Sequence, residues 1–180
     1  MRENEKLEEA RYFLYAMSKL QYEIASSEIF RFNLSAFLCA ARSIPQYALV
    51  DAQAKTSGQL WYDNIVTQSK VIMFFKDKRD LNIHREPVQV RQDIKAQFSD
   101  AMQPRDSWSL ALGDSGGHVI ETKNGKSDDV DPAIFQSPNL TVSYKFDDWP
   151  GVEDVMGLCT LYIQELASLI EDGKAKGFLS

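Results

Sequence analysis

The hydrophobic period of this chain changes at Pro87, and that change restricts the fold to helices flanking a β segment. Before Pro87, apolar residues recur every three or four positions, the spacing of one helix face. After it they alternate, the spacing of a half-buried strand. From about Val152 the helical spacing returns.

The first helix is read over about Glu5 to Ile24, with Leu7, Ala10, Leu14, Met17 and Ile24 as its stripe. Ser26 or Ser27 caps a second, which carries Phe30, Leu34, Phe37, Leu38, Ala41 and Ile44 inward. Pro45 is expected to kink or interrupt it, since proline donates no backbone bond and crowds the preceding turn. The pattern resumes through Leu49 and ends before Ser57-Gly58. Leu60, Trp61 and Ile65 mark a short third helix. Ser69 caps a fourth, bearing Val71, Ile72, Phe74, Phe75 and Leu81, which Pro87 stops close to His84.

Beyond Pro87, three stretches alternate: Val88 to Phe98, Trp108 to Leu112, and Leu140 to Phe146. The turn signal Asp114-Ser115-Gly116-Gly117 lets Val119-Ile120 return as a strand. These predict one small antiparallel sheet of three or four strands. Residues 123–138, with an acidic run, read as a loop and as the mobile segment. The final helix is read from Val152 to Asp172, after Pro150-Gly151. The expected fold is mainly α, of the α+β class: an antiparallel helical bundle with a small β-sheet inserted before its last helix. It forms a single domain over 1–180, with a bundle core at 1–87, an insertion at 88–147 and a closing helix at 150–174.

Composition narrows the function classes. A chain 44% hydrophobic and 26% charged folds rather than staying disordered. Its net charge of -6 argues against general attraction to nucleic acid. The charge is uneven, however. Lys76, Lys78, Arg79, Arg85, Arg91 and Lys95 cluster against four acids, whereas Glu121 to Asp154 holds eight acids and three lysines. Cys39 and Cys159 both read as reduced, buried small hydrophobes. Two cysteines and two histidines spread along the chain supply no zinc-type cluster, so no metal or other cofactor is expected. The charged start Met1 to Lys6 is unlike a signal peptide, and no apolar run is long enough to span a bilayer. The expected setting is the cytoplasm, without a membrane partner.

The residues richest in chemistry are Arg79-Asp80-Leu81-Asn82-Ile83-His84. An arginine can fork onto a phosphate, and a histidine exchanges protons near neutral pH. On an ideal helix Arg79 and Asn82 share the side of Val71 and Phe75, while His84 lies roughly 140° from Arg79 and close to Asp80. Asp80 can therefore orient the imidazole and raise its proton affinity. For Arg79 and His84 to meet on one phosphate, the helix must end near Asn82, or the pair must face its copy across a two-fold axis. A simple dipole interaction at a helix end accounts for the same residues without chemistry.

This segment resembles the Arg-x4-His motif of the HEPN superfamily, helical-bundle proteins that carry it late, after longer helices. The resemblance covers mainly residues 1–87, and the β segment is an addition to the usual pattern. Active members are metal-independent endoribonucleases that work as dimers, with both protomers lining one cleft. By position, the resemblance implies that Arg79 binds the scissile phosphate and that His84 is the general acid or base. Asp80 would orient a neighbour, and Asn82, Arg42 and Lys78 would contact substrate RNA. The competing reading is a non-catalytic module that binds a protein through residues 123–138 or the β-insertion. A small-molecule binder between sheet and helices is a third. Asp114 to Gly117 lacks phosphate-loop spacing, no serine sits in a nucleophile elbow, and His118 reads as a turn residue. Trp61-Tyr62, Trp108 and Trp149 read as packing residues rather than base-stacking ones.

Overall fold

A computed structural model describes residues 2–20, 27–84, 88–97, 112–113, 119–121 and 139–179. The side chains of 81–84, 95–97, 112–113, 119–121 and 139–140 lie outside that description. Five helices, α1 (Arg2–Lys19), α2 (Ser27–Gln53), α3 (Gly58–Gln68), α4 (Lys70–His84) and α5 (Val155–Ala175), account for most of it. Four short strands separate α4 from α5: β1 (Arg91–Gln97), β2 (Leu112–Gly113), β3 (Val119–Glu121) and β4 (Asn139–Lys145). The fold is a mostly helical bundle with a small sheet before the C-terminal helix, as the change of period predicts.

The long helix α2 is the centre of the bundle and packs on α1, α3, α4 and α5. Phe30, Leu34, Phe37, Leu38, Ala41, Ile44 and Ala48 line its inner side and are fully buried. Of the two outcomes expected of Pro45, interruption does not occur: the helix stays continuous and the proline ring is buried. Packing of Ile44, Pro45 and Ala48 offsets the backbone bond that proline removes. Cys39 also departs from expectation: it is exposed, because it sits on the side of α2 opposite Phe37 and Ala41. Cys159, on α5, is buried.

The turn from α2 to α3 depends on two backbone choices. Ser57 takes a left-handed conformation with φ 64°. At Gly58 a Cβ would fall 1.9 Å from the Ala52 carbonyl oxygen, so only glycine fits. Helix α3 then buries Trp61, Tyr62 and Val66, while Leu60 is 64% exposed. Ser69 both ends α3 and starts α4, its hydroxyl accepting from the Ile72 amide at 3.0 Å. At α5 the expected start slips from Val152 to Val155. Val152 is 92% exposed, and Asp154 is the cap, accepting from the Gly157 amide at 2.8 Å.

Among the described residues the strands form two pairs, β1 with β4 and β2 with β3, where the sequence predicts one sheet of three or four. Leu112–Gly113 pairs antiparallel with Val119–Glu121. Alternation in sequence marks a strand but does not choose its partner, which is why the pairing was not foreseeable. Val142, Tyr144 and Phe146 point inward, as their spacing requires. Trp108, Leu110, the Asp114 to Gly117 turn, His118 and residues 123–138 lie outside the described residues. The chain divides into two compact units, Met1–Lys95 with Thr141–Ser180, and Ala96–Leu140. The bundle unit thus includes most of β1 and most of β4.

Aromatic contacts fix α4 within the bundle unit. Phe75 stacks on Tyr162 of α5 with centroids 4.5 Å apart and planes 7° from parallel. Phe37 of α2 meets both rings edge-on. Tyr144 of β4 stacks on Phe30 at 3.7 Å. Each such pair adds about 0.5–1.5 kcal/mol to the area it buries. The contacts of Phe75 set the rotation of α4 about its axis, and so decide which of its polar residues face out.

Candidate functional site

With Phe75 anchored, the rest of α4 follows from the helical period. Val71, Phe75 and Lys78 fall on one line along the helix, and Lys78 is accordingly buried. Its ammonium lies 5.3 Å from the Phe74 ring centre and 5.1 Å from that of Phe146, and pairs with the Asp148 carboxylate at 2.6 Å. Two aromatic faces and a carboxylate satisfy this charge internally. Lys78, expected to contact substrate, is turned into the bundle.

Arg79 lies a quarter-turn away and is half-buried. One terminal nitrogen donates to its neighbour Asp80 at 3.1 Å, while its Nε is buried without a hydrogen-bond partner among the described residues. A buried guanidinium N–H left unpaired costs free energy unless an acceptor reaches it. Asp80 is itself partly exposed and keeps room for a second donor.

Helix α4 runs through His84 without a break. The backbone therefore holds Arg79 and His84 about 140° apart around one axis, with His84 one turn beyond Asp80. Of the two routes open to the pair, the one that requires the helix to end near Asn82 is closed. The side chains of Asn82 and His84 lie outside the described residues.

Arg42, the remaining candidate, lines a pocket between α2, α3 and α4. Its guanidinium sits beside the Tyr62 hydroxyl. Burial raises the proton affinity of that phenol, and the charge and hydrogen bonding of Arg42 oppose the rise. The Arg42 Nε, like that of Arg79, is buried without a partner among the described residues. From α4 the pocket takes Ile72, Met73 and Lys76. By helical spacing, Arg79 and Asp80 flank the same line one turn beyond Lys76.

The sequence reading missed Lys76 and the two tyrosines as a group. Lys76 was visible as a member of the basic run, at i+3 and i+4 from Met73 and Ile72. Nothing in the sequence brings Tyr62 and Tyr162 to Arg42, which requires the packing of three helices. The burial of Lys78 was legible, since it occupies the line of Val71 and Phe75.

Comparison with known proteins found no matching family model, no matching curated protein and no matching solved structure. Among the described residues, no helix is long and apolar enough to cross a membrane.

Proposed function

We propose that this chain is an RNA-handling protein of the HEPN type, a metal-independent endoribonuclease acting as a homodimer in the cytoplasm. The observation that carries the reading is the half-buried Arg79 guanidinium, whose Nε has no acceptor among the described residues, within an Arg-x4-His segment on one unbroken helix. Such a group is suited to a phosphate oxygen, which accepts a charge-assisted bond stronger than a neutral one. Since His84 lies on a different side of the same helix, each Arg79 works with the His84 of a second copy. Arg79 holds the scissile phosphate and stabilises charge on its oxygens. His84 takes the ribose 2′-hydroxyl proton or returns one to the leaving oxygen. Asp80, one turn before His84, orients the imidazole, and Asn82 contacts substrate or partner chain.

The test is incubation with single-stranded RNA in the presence of EDTA. Cleavage that is lost in His84→Ala, with the melting temperature kept, supports the reading. A wild-type protein inert on varied RNAs removes it. The second reading, a non-catalytic interaction module, draws on the exposed Tyr12, Tyr15, Ile29 and Phe32, large apolar groups on α1 and α2 turned to solvent. Under it, Arg79→Ala lowers stability and changes no chemistry.

A further inference from the structure

The pocket between α2, α3 and α4 has a cavity volume of about 290 Å³, near the lower end of small-molecule sites. Leu49, Val66 and Met73 give it apolar walls, while Arg42, Tyr62 and Lys76 bring three hydrogen-bond donors to it. Among the described residues the Arg42 Nε is buried without a partner, and Lys76 forms no ion pair. The Tyr162 hydroxyl, on a residue 1% exposed, is also without a partner among the described residues and lies within electrostatic reach of both Arg42 and Tyr62. Asp63, the pocket's one carboxylate, is exposed and already accepts from the Gln59 amide at 2.9 Å. The Thr67 hydroxyl is committed to the Asp63 carbonyl at 2.6 Å. Two cations thus face one engaged anion, and the donors that remain need an acceptor.

We infer that this pocket binds a small organic oxyanion, its head on Arg42, Tyr62 and Lys76 and its apolar body against Leu49, Val66 and Met73. The arrangement favours an anion over a neutral ligand because the buried Arg42 N–H gains most from a charged acceptor. It favours a body of modest size because the volume admits little more than one ring.

Isothermal titration of the full chain with phenyl phosphate, benzoate and phenol tests this. Saturable binding of phenyl phosphate or benzoate, with phenol at least about tenfold weaker, is the expected result, and whichever anion binds tighter names the head group. Arg42→Met, which keeps the stem but removes the donors, should weaken the bound anion about tenfold or more. Lys76→Met should do likewise, and circular dichroism verifies that each variant folds. Failure of both anions to bind, phenol binding equally well, or unchanged affinity in a folded Lys76→Met would overturn the assignment. RNA cleavage plays no part in these readouts, so the outcome is independent of the proposed nuclease activity.

Discussion

The Trp61 indole nitrogen donates to the Asp172 carboxylate at 2.6 Å, joining α3 to the last turns of α5 across 111 positions of chain. Lys176 also donates to that carboxylate, at 2.9 Å. The hydrogen bond from Trp61 and then that from Lys176 hold the Asp172 carboxyl below its ordinary value. A carboxyl depressed on folding contributes stability that is present above its unfolded pKa and is lost as pH falls through the lower folded value. Wild type should therefore lose stability in acid below about pH 4 more steeply than Asp172→Asn. Thermal melts across that range check the difference in slope.

Gly173 follows from the same junction. A Cβ there would approach Leu179 at 2.6 Å and the far edge of the Trp61 ring at 2.7 Å. Trp61 also stacks on Phe178 at 5.0 Å, so the ring cannot move freely aside. Gly173→Ala should lower stability by about 1–3 kcal/mol through overpacking, despite alanine's better helix propensity. Chemical denaturation measures it, and a rise in stability would show that the C-terminal residues yield.

Lys78 separates structural from substrate-binding use. Lys78→Ala removes the stem packed beside Phe74 and Phe146 and should destabilise by about 2 kcal/mol. Asp148→Asn should cost under about 1 kcal/mol, because that side chain is 62% exposed. Lys78→Met should fold and leave RNA binding unchanged. Fluorescence anisotropy with labelled RNA checks the last point.

Thiol labelling tests the placement of α2 and α5. Cys39 is exposed and should react with an aromatic disulfide in the native protein. Cys159 is buried, and burial pushes its thiol well above the usual range, so it should react only on unfolding. One fast equivalent followed by a second in denaturant is the expected trace.

Much of the fold was legible because helices and strands differ in period, and Pro87 marks the change. Ser57-Gly58 and Ser69 carried their helix boundaries through local chemistry that needs no tertiary context. That α2 continues through Pro45 was not legible, because proline's cost is local while its compensation lies in core packing that α2 shares with its neighbours. Strand pairing was not legible, since alternation leaves the partner open. The candidate site divides the same way. Lys78 could be placed inward from its spacing along α4. The grouping of Arg42, Tyr62, Lys76 and Tyr162 depends on four helices meeting, which no single segment records.

The most direct measurement of the central claim is cleavage of end-labelled single-stranded RNA in EDTA by mixtures of Arg79→Ala and His84→Ala protein. Each variant alone should be inactive and retain its fold. Mixed, they should regain part of the wild-type rate, because one heterodimer cleft then joins an intact Arg79 to an intact His84. Wild type that leaves RNA uncut, or variants that cut as fast as wild type, would contradict the account.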